Sequence, residues 1–304
     1  MYMRKKLFYF IPLIALFWLL GTGHYLHYDD RALQLLKEQN TSPLEQKASI
    51  WLNSYGAVIQ AKPIARLKKA ETSGLAWHAP SNTLFTVTGK IPKLAQLSLT
   101  GELMREIELQ GVADAEGIEV LPDGRFALVD ERRGTLVIFS LPQENHIDLS
   151  QALQFNLAEP LPELMLPSNK GLEGIAWDSL HSRFILAKER NPHTLYALEF
   201  DLESNQFGTL TALPADSLIV RDISGLSFNQ RTGHLLVLSD DSSMLLELDE
   251  HFKPVSFISF LRGFNGLDNS IKQGEGVTMD GQGTIYIVGE PNLFYAFKNS
   301  PQQE

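Results

Sequence analysis

Short runs in which apolar and polar residues alternate fill the chain from Ala57 onward, and helical periodicity is almost absent there. Alternation of this kind is typical of β-strands with one buried face. One unit recurs: an apolar strand opens with Ser-Gly or Glu-Gly, a polar turn follows, and a second alternating strand comes next. The glycines of these units stand about fifty residues apart, at Gly74, Gly117, Gly174, Gly225 and Gly276.

Each unit contains a third strand as well, at residues 94–99, 135–141, 194–200, 244–249 and 293–297. Candidate fourth strands occupy residues 105–109, 153–157, 209–213 and 254–261. Three or four strands at this period predict the blade of a β-propeller. The fifth unit has no fourth strand of its own. We therefore expect residues 57–67 to complete it and to close the ring, which removes the exposed edge of an open sheet.

The pattern predicts an all-β fold, a β-propeller of five blades over residues 57–304. Six blades is the alternative, if residues 144–167 form a degenerate blade. An open β-sandwich is the structural runner-up, but the regular repeat argues against it.

The N-terminus has a different pattern. Arg4, Lys5 and Lys6 precede an apolar run over residues 7–23. At about 1.5 Å per residue, a helix of this length spans roughly 25 Å, just short of an average bilayer core. Basic residues on one side only predict an N-terminus in the cytoplasm. We interpret residues 1–28 as an uncleaved anchor that leaves the propeller in the periplasm; a cleaved signal peptide is the rival interpretation.

Residues 29–56 mix leucines with charged side chains, and Ser42-Pro43 is a plausible helix start. The pattern predicts a linker of two short amphipathic helices. These helices either form a stalk between membrane and propeller or pack on the propeller.

Composition excludes several classes of function. The net charge of −10, with no basic block beyond the extreme N-terminus, argues against a nucleic-acid partner. The absence of cysteine excludes disulfides, thiolate zinc sites and a cysteine nucleophile. No Gly-x-Ser-x-Gly motif is present, so the sequence gives little support for nucleophilic catalysis by a serine and selects no catalytic residue.

Two sets of polar residues recur with the unit. The residues before the repeated glycines are Ser73, Glu116, Glu173, Ser224 and Glu275. The residues at the end of the second strand are Thr88, Glu131, Glu189, Asp241 and Glu290. Because the two strands are antiparallel neighbours, the start of the first lies beside the end of the second. Both sets should therefore meet on one face, around one mouth of the central channel.

Three carboxylates in an inner ring repel each other, and a bound cation would offset that repulsion. We predict a divalent-cation site of Glu116, Glu173 and Glu275, shared with Glu189 or Glu290. Oxygen ligands without cysteine suit calcium, with magnesium as the alternative. The structural alternative is that each glutamate accepts backbone N–H groups from a neighbouring blade.

Arg132 and Arg190 directly follow the acids of the second set. On the same rim they are candidates to hold an anionic group by bidentate hydrogen bonds. Glu131, Asp241 and Asn191 are further candidate ligand-binding residues of this rim. The alternative is that each arginine pairs with a nearby acid.

The opening Ser/Glu-Gly-Leu/Ile motif resembles the SdiA-regulated family of bacterial β-propellers. So do the Pro-Asp-Gly-Arg-Phe turn at residues 122–126, the Asp-Glu-Arg at 130–132 and the Lys-Glu-Arg at 188–190. More distantly, the chain is similar to NHL-type propellers and to calcium-dependent propeller hydrolases of the gluconolactonase and strictosidine synthase type. Members of the resembling family typically carry an N-terminal membrane segment, which implies a single-pass protein of the bacterial inner membrane. The family has no settled activity to carry over.

Two functions fit these observations. The first is a membrane-anchored periplasmic binding module, with a cation in its channel and a small-molecule or protein ligand on the acidic face. The second is a calcium-dependent lactonase or phosphoesterase, in which the metal polarises the substrate and Glu189 or Asp241 acts as base.

Overall fold

The computed structural model of the protein describes residues 16–18, 21–24, 28–162, 171–190, 194–215 and 217–299. Its strands form five sheets, each built on four antiparallel strands. One inner strand from each sheet packs against the inner strands of the two adjacent sheets, so the five close into a ring. The predicted all-β propeller of five blades is confirmed.

The blades follow chain order. Blade one comprises β2 (Thr72–His78), β3 (Thr83–Thr88), β4 (Lys93–Leu97) and β5 (Leu103–Gln110), with β9 (His146–Asp148) added in parallel at its edge. Blade two comprises β6 (Ala115–Val120), β7 (Phe126–Asp130), β8 (Thr135–Phe139) and β10 (Leu153–Asn156). Blade three comprises β11 (Leu172–Asp178), β12 (Arg183–Lys188), β13 (Thr194–Asp201) and β14 (Gln206–Leu213). Blade four comprises β15 (Gly225–Asn229), β16 (His234–Ser239), β17 (Met244–Leu248) and β18 (Pro254–Ser259).

Blade five joins the two ends of the propeller. It comprises β19 (Gly274–Met279), β20 (Ile285–Gly289) and β21 (Leu293–Asn299), and its outer strand is β1 (Tyr55–Pro63) from the start of the domain. The predicted closure by the N-terminal strand is therefore confirmed. The last blade gains its fourth strand in this way, and the ring closes without a gap.

The six-blade alternative is wrong for the part of residues 144–167 that the structure describes. Residues 146–148 extend blade one, and residues 153–156 form the outer strand of blade two. A parallel three-residue strand at a sheet edge satisfies backbone groups there without starting a new sheet.

Five apolar layers, one between each pair of adjacent blades, form the core. Between blades one and two, for example, Phe85 packs edge to face against Phe126. Between blades two and three, Trp177 and Phe184 of blade three pack edge to face in the shared layer. Trp177 is therefore a packing residue between blades.

The repeated glycines set how closely the inner strands approach. A Cβ on Gly74 would lie 2.6 Å from the carbonyl oxygen of Glu116, and one on Gly117 would lie 2.7 Å from that of Glu173. Any larger residue would push the neighbouring inner strand outward. The glycine of the repeated pair is thus required by the tightness of the ring.

The linker packs on blade four. Helix α1 (Tyr28–Glu38) lies against β18, and helix α2 (Pro43–Ala48) begins with a capping box between Ser42 and Glu45. A short 3₁₀ helix (Leu52–Ser54) then leads into β1. The fully buried carboxylate of Glu247 accepts the backbone N–H groups of Ile50 and Trp51, at 2.7 and 3.1 Å. Of the two arrangements open to the linker, helix α1 adopts the docked one, whereas α2 buries none of its residues.

The predicted anchor over residues 7–23 falls mostly outside the described residues. Residues 16–18 and 21–24 are helical. Within the described part of the chain, no helix combines the length and the apolar character needed to cross a bilayer.

The close approach of the inner strands predicts a stability difference between two matched substitutions. Gly74→Ala places a methyl group 2.6 Å from backbone, whereas at Gly225 the nearest atom is 3.2 Å away. We expect Gly74→Ala to lower the free energy of unfolding by about 1–3 kcal/mol, and Gly225→Ala by less, because overpacking against backbone finds little relief. Urea denaturation measures both; equal losses would contradict this account of the glycines.

Candidate metal centre

The repeated Glu and Ser residues lie where the inner strands begin. Glu116 lies in β6, Glu173 in β11, Glu275 in β19 and Ser73 in β2, and Ser224 directly precedes β15. All three glutamates are half-buried. The five residues therefore lie around the channel in the order that the sequence predicts.

Each glutamate occupies an irregular step in its strand. The pairing of β6 with β7 skips Glu116, and the pairings of blades three and five skip Glu173 and Glu275 in the same way. A bulge of this kind adds one unpaired residue and re-aims its side chain. The glycine after each glutamate was a sequence signal for such a bulge.

The second predicted set lies beside the first. The register pairs Ala115 with Asp130, Leu172 with Lys188 and Gly274 with Gly289. The acids that follow those second strands therefore lie next to the ring. The strand register thus brings both sets together on one face, as the sequence predicts.

Burial and repulsion raise the pKa values of the ring. Burial raises the pKa of Glu116 to about 8, with Asp114, Glu131 and Glu290 adding to the shift. Burial, followed by the charge of Glu290, raises the pKa of Glu275 to about 9. The pKa of Glu173 is also raised well above its ordinary value, by burial and then by neighbouring carboxylates. A proton or a cation would relieve this repulsion.

The hydrogen bonds of Ser73 are consistent with a carboxyl group that can carry a proton. Its hydroxyl oxygen lies 2.8 Å from the carbonyl oxygen of Glu116 and 2.6 Å from Oε2 of the same residue. A hydroxyl has one hydrogen and cannot donate to both. Both contacts become hydrogen bonds only when a protonated Glu116 donates to Ser73 and Ser73 donates to the carbonyl.

The arginines of this face pair with other acids. Arg132 Nη2 lies 2.7 Å from Asp114 Oδ2, and Arg190 bridges Glu189 and Asp241 at 2.7 and 2.8 Å. Both arginines thus adopt the alternative arrangement, with an acid as partner. Within the described part of the chain, the salt bridges leave out the three ring glutamates.

A compact acidic group adjoins the ring. Carboxylate oxygens of Asp114, Glu116 and Glu131 all lie within 4.8 Å of one another. Among the described residues, the other group of this kind is Asp249, Glu250 and His251 at a surface turn. The first group could hold a metal ion. Glu116 and Glu131 were candidates from the sequence, but Asp114 was not, although it stands two residues before the repeated Glu-Gly pair.

Glu131 also has a structural partner. Its Oε1 accepts the backbone N–H of Gly171 at 2.8 Å, just before the inner strand of blade three. This is the blade-to-blade role that the sequence analysis considered for the ring glutamates. Here a residue of the second set performs it.

Two more acidic residues of this rim have raised pKa values. Asp222, which the sequence analysis did not single out, is buried, and burial raises its pKa to about 6. Glu290 accepts a hydrogen bond from Gln273 at 3.3 Å, and burial raises its pKa. Asn191 lies outside the described residues.

The chain is similar to known proteins in sequence and in fold. The sequence model of the SdiA-regulated family matches residues 47–298. A glutaminyl cyclase of Myxococcus xanthus is 18% identical over 80% of this chain and 95% of its own, with a TM-score of 0.53. A gluconolactonase of Xanthomonas campestris is 11% identical over 79% of this chain and 96% of its own, with a TM-score of 0.46. At such identities the likeness to the cyclase shows a similar fold alone.

The raised pKa values predict how stability depends on pH. In the presence of a chelator, we expect the free energy of unfolding to fall as pH rises from about 5 to about 9, because Glu116 and Glu275 titrate near 8 and 9 when folded but near 4.5 when unfolded. In that window the folded state binds more protons than the unfolded state. Each group then removes up to about 1.4 kcal/mol per pH unit.

Urea denaturation at several pH values measures this slope. Glu275→Gln should flatten it, whereas Glu203→Gln, at an exposed turn, should leave it unchanged. Stability that rises across the window, or an equal slope in the Glu275→Gln variant, would contradict the account.

Proposed function

The chain belongs to the SdiA-regulated family, and we propose that it is a membrane-anchored binding module of the bacterial periplasm. In this proposal a divalent cation at the acidic channel mouth completes the surface that a small molecule or protein recognises. The basic N-terminus followed by the apolar run over residues 7–23 supports the anchor and its orientation.

One observation carries the cation. Glu116, Glu173 and Glu275 repel each other around one mouth, and the described salt bridges do not include them. Arg190 is engaged by Glu189 and Asp241, and Arg132 by one carboxylate oxygen of Asp114. A divalent ion offsets this repulsion more completely than a proton does, because it can interact with several carboxylates at once. Protons and the ion compete for the same oxygens, so the affinity for the ion should rise with pH.

The donor set fits a hard cation. Asp114, Glu116 and Glu131 would hold the ion directly, since their oxygens already lie within 4.8 Å of one another. Glu173 and Glu275 would add negative charge from the ring. Calcium accepts irregular sets of carboxylates, carbonyls and waters, whereas magnesium demands near-octahedral geometry. An ion held in this way would offer an oxygen atom of the bound ligand both its positive charge and coordination positions that can exchange.

The same geometry favours binding over the hydrolase alternative. Hydrolysis needs a free base beside the metal. The two candidate bases, Glu189 and Asp241, lie 2.7 and 2.8 Å from the guanidinium of Arg190. Both carboxylates are thus engaged by the same guanidinium, and neither is a free base beside the metal. A binding module needs only the formed surface.

A thermal melt with and without calcium tests the cation. For the full-length protein, purified in detergent and treated with chelator, we expect calcium to raise Tm. At about 100 times Kd, binding to the folded state alone adds about 2.7 kcal/mol. Magnesium should act more weakly, because it demands near-octahedral geometry, whereas calcium accepts an irregular set of oxygens.

Two variants of the same strand sharpen this test. Glu116→Gln should abolish the calcium-dependent rise, because Glu116 belongs to both the ring and the compact group. Glu119→Gln should keep it, since the Glu119 carboxylate binds the N–H groups of Val120 and Trp177 toward the other end of β6. No rise in the native protein, or an undiminished rise in Glu116→Gln, would refute the cation site.

A further inference from the structure

Helix α1 is amphipathic, but its polar side faces the propeller. The residues that it buries are Asp30, Arg31, Gln34 and Glu38. Its exposed side carries Tyr28, Ala32, Leu33, Leu35 and Leu36. A helix on a soluble domain normally buries its apolar side and exposes its charges. The reversed arrangement is the observation to be explained.

Each charged residue of α1 has a partner in the propeller or the linker. Asp30 lies 3.0 Å from Arg221 Nε, and Arg31 Nε donates to Ser259 Oγ at 2.9 Å. Glu38 accepts the backbone N–H of Phe257 at 2.9 Å.

The two half-buried charges on the flanks of the helix are engaged too. Asp29 pairs with Arg221 at 3.0 Å, and Lys37 donates to the carbonyl of Ser217 at 3.3 Å. The charged residues of α1 are therefore partnered by protein, although the buried Nε2 of Gln34 has no hydrogen-bond partner among the described residues. The docking of α1 on blade four is specific.

The outward side is apolar and open. Leu33, Leu35 and Leu36 are 48%, 46% and 58% exposed. Beside them, a groove of about 630 Å³ runs between α1 and blade four, lined by Ala32, Leu35 and Phe264 among others. The apolar surface thus continues from the helix onto the propeller. A contiguous exposed patch of this kind marks an interaction surface.

The position of α1 along the chain identifies the occupant. The predicted membrane segment ends at Gly23, and α1 begins five residues later, a distance of at most about 17 Å when fully extended. The chain is held even closer than that. The carbonyl of His24 accepts a hydrogen bond from Arg221 at 2.8 Å, so the exit from the apolar segment lies against blade four.

We infer that the outer side of α1, with Phe264 beside it, lies in the interfacial layer of the bilayer that holds the N-terminal segment. An interfacial helix normally places its apolar face among the acyl chains and turns its polar face to water. Here the polar face binds the propeller instead. The helix then holds the outer edge of blade four against the membrane, because one of its sides binds the propeller and the other contacts the bilayer. This inference depends on the membrane anchor of the proposed function.

The absence of cysteine makes the test direct. Single cysteines are introduced in the full-length protein at Leu33→Cys and Leu36→Cys. The matched control is Met104→Cys, which replaces an equally exposed apolar residue on the outer strand of blade one. Each variant receives an environment-sensitive fluorophore and is reconstituted into phosphatidylethanolamine and phosphatidylglycerol vesicles.

We expect labels at positions 33 and 36 to be quenched by nitroxide-bearing lipids and to lose most of their accessibility to a water-soluble quencher. The label at position 104 should show the opposite behaviour. Protein that enters the vesicles with all three labels open to water would overturn this inference and leave the anchor intact. Protein that does not enter vesicles at all would instead refute the anchor.

A second copy of the chain is the competing occupant. In that case the labels at positions 33 and 36 would escape the nitroxide lipids but remain shielded from the water-soluble quencher. That shielding would decline as protein is diluted with lipid. This outcome would also overturn the inference.

Discussion

The close contact of five inner strands is the constraint on which the rest of the structure depends. A glycine in each strand lets the neighbouring backbone approach without a Cβ between them, as at Gly74 and Gly117. In the three blades that carry glutamate, the residue before the glycine is left out of the strand pairing as a bulge. Ring closure and bulge together bring the preceding side chains to one mouth of the channel.

The charge of those side chains has a direct cost. Three glutamates at one mouth cannot all ionise at neutral pH without repulsion, and burial raises the pKa values of Glu116 and Glu275 to about 8 and about 9. A purely architectural ring could use serine, as Ser73 and Ser224 do in two blades. The three blades with glutamate therefore give up stability that a bound cation would restore.

Much of this was predictable from sequence, because the fold repeats. Period-two strands and a fifty-residue repeat sufficed for five blades, for closure by β1 and for both acidic sets. Asp114 escaped prediction because it lies two residues before the repeated pair, outside the two sets considered, although Glu71 and Asp222 hold the same place before Ser73 and Ser224. The pairing of Arg190 with Glu189 and Asp241 depends on side-chain positions across two blades, which spacing along the chain does not encode.

The linker shows a second limit of sequence patterns. An amphipathic helix was evident over α1, but the pattern cannot say which side meets the domain. The specific partners Arg221 and Ser259 decide that, and they lie about two hundred residues away in the chain. They turn the leucines outward. The same apolar residues that would normally predict a packing face are therefore exposed.

The release of protons on calcium binding at neutral pH tests the central claim most directly. The Glu116 carboxyl, with a pKa of about 8, carries a proton at neutral pH, and a cation that takes its oxygens must displace that proton. Calorimetric titration in buffers of different ionisation enthalpy gives the number released. The account predicts a release at neutral pH that disappears at alkaline pH and in the Glu116→Gln variant. Calcium binding without proton release, or no binding at all, would contradict it.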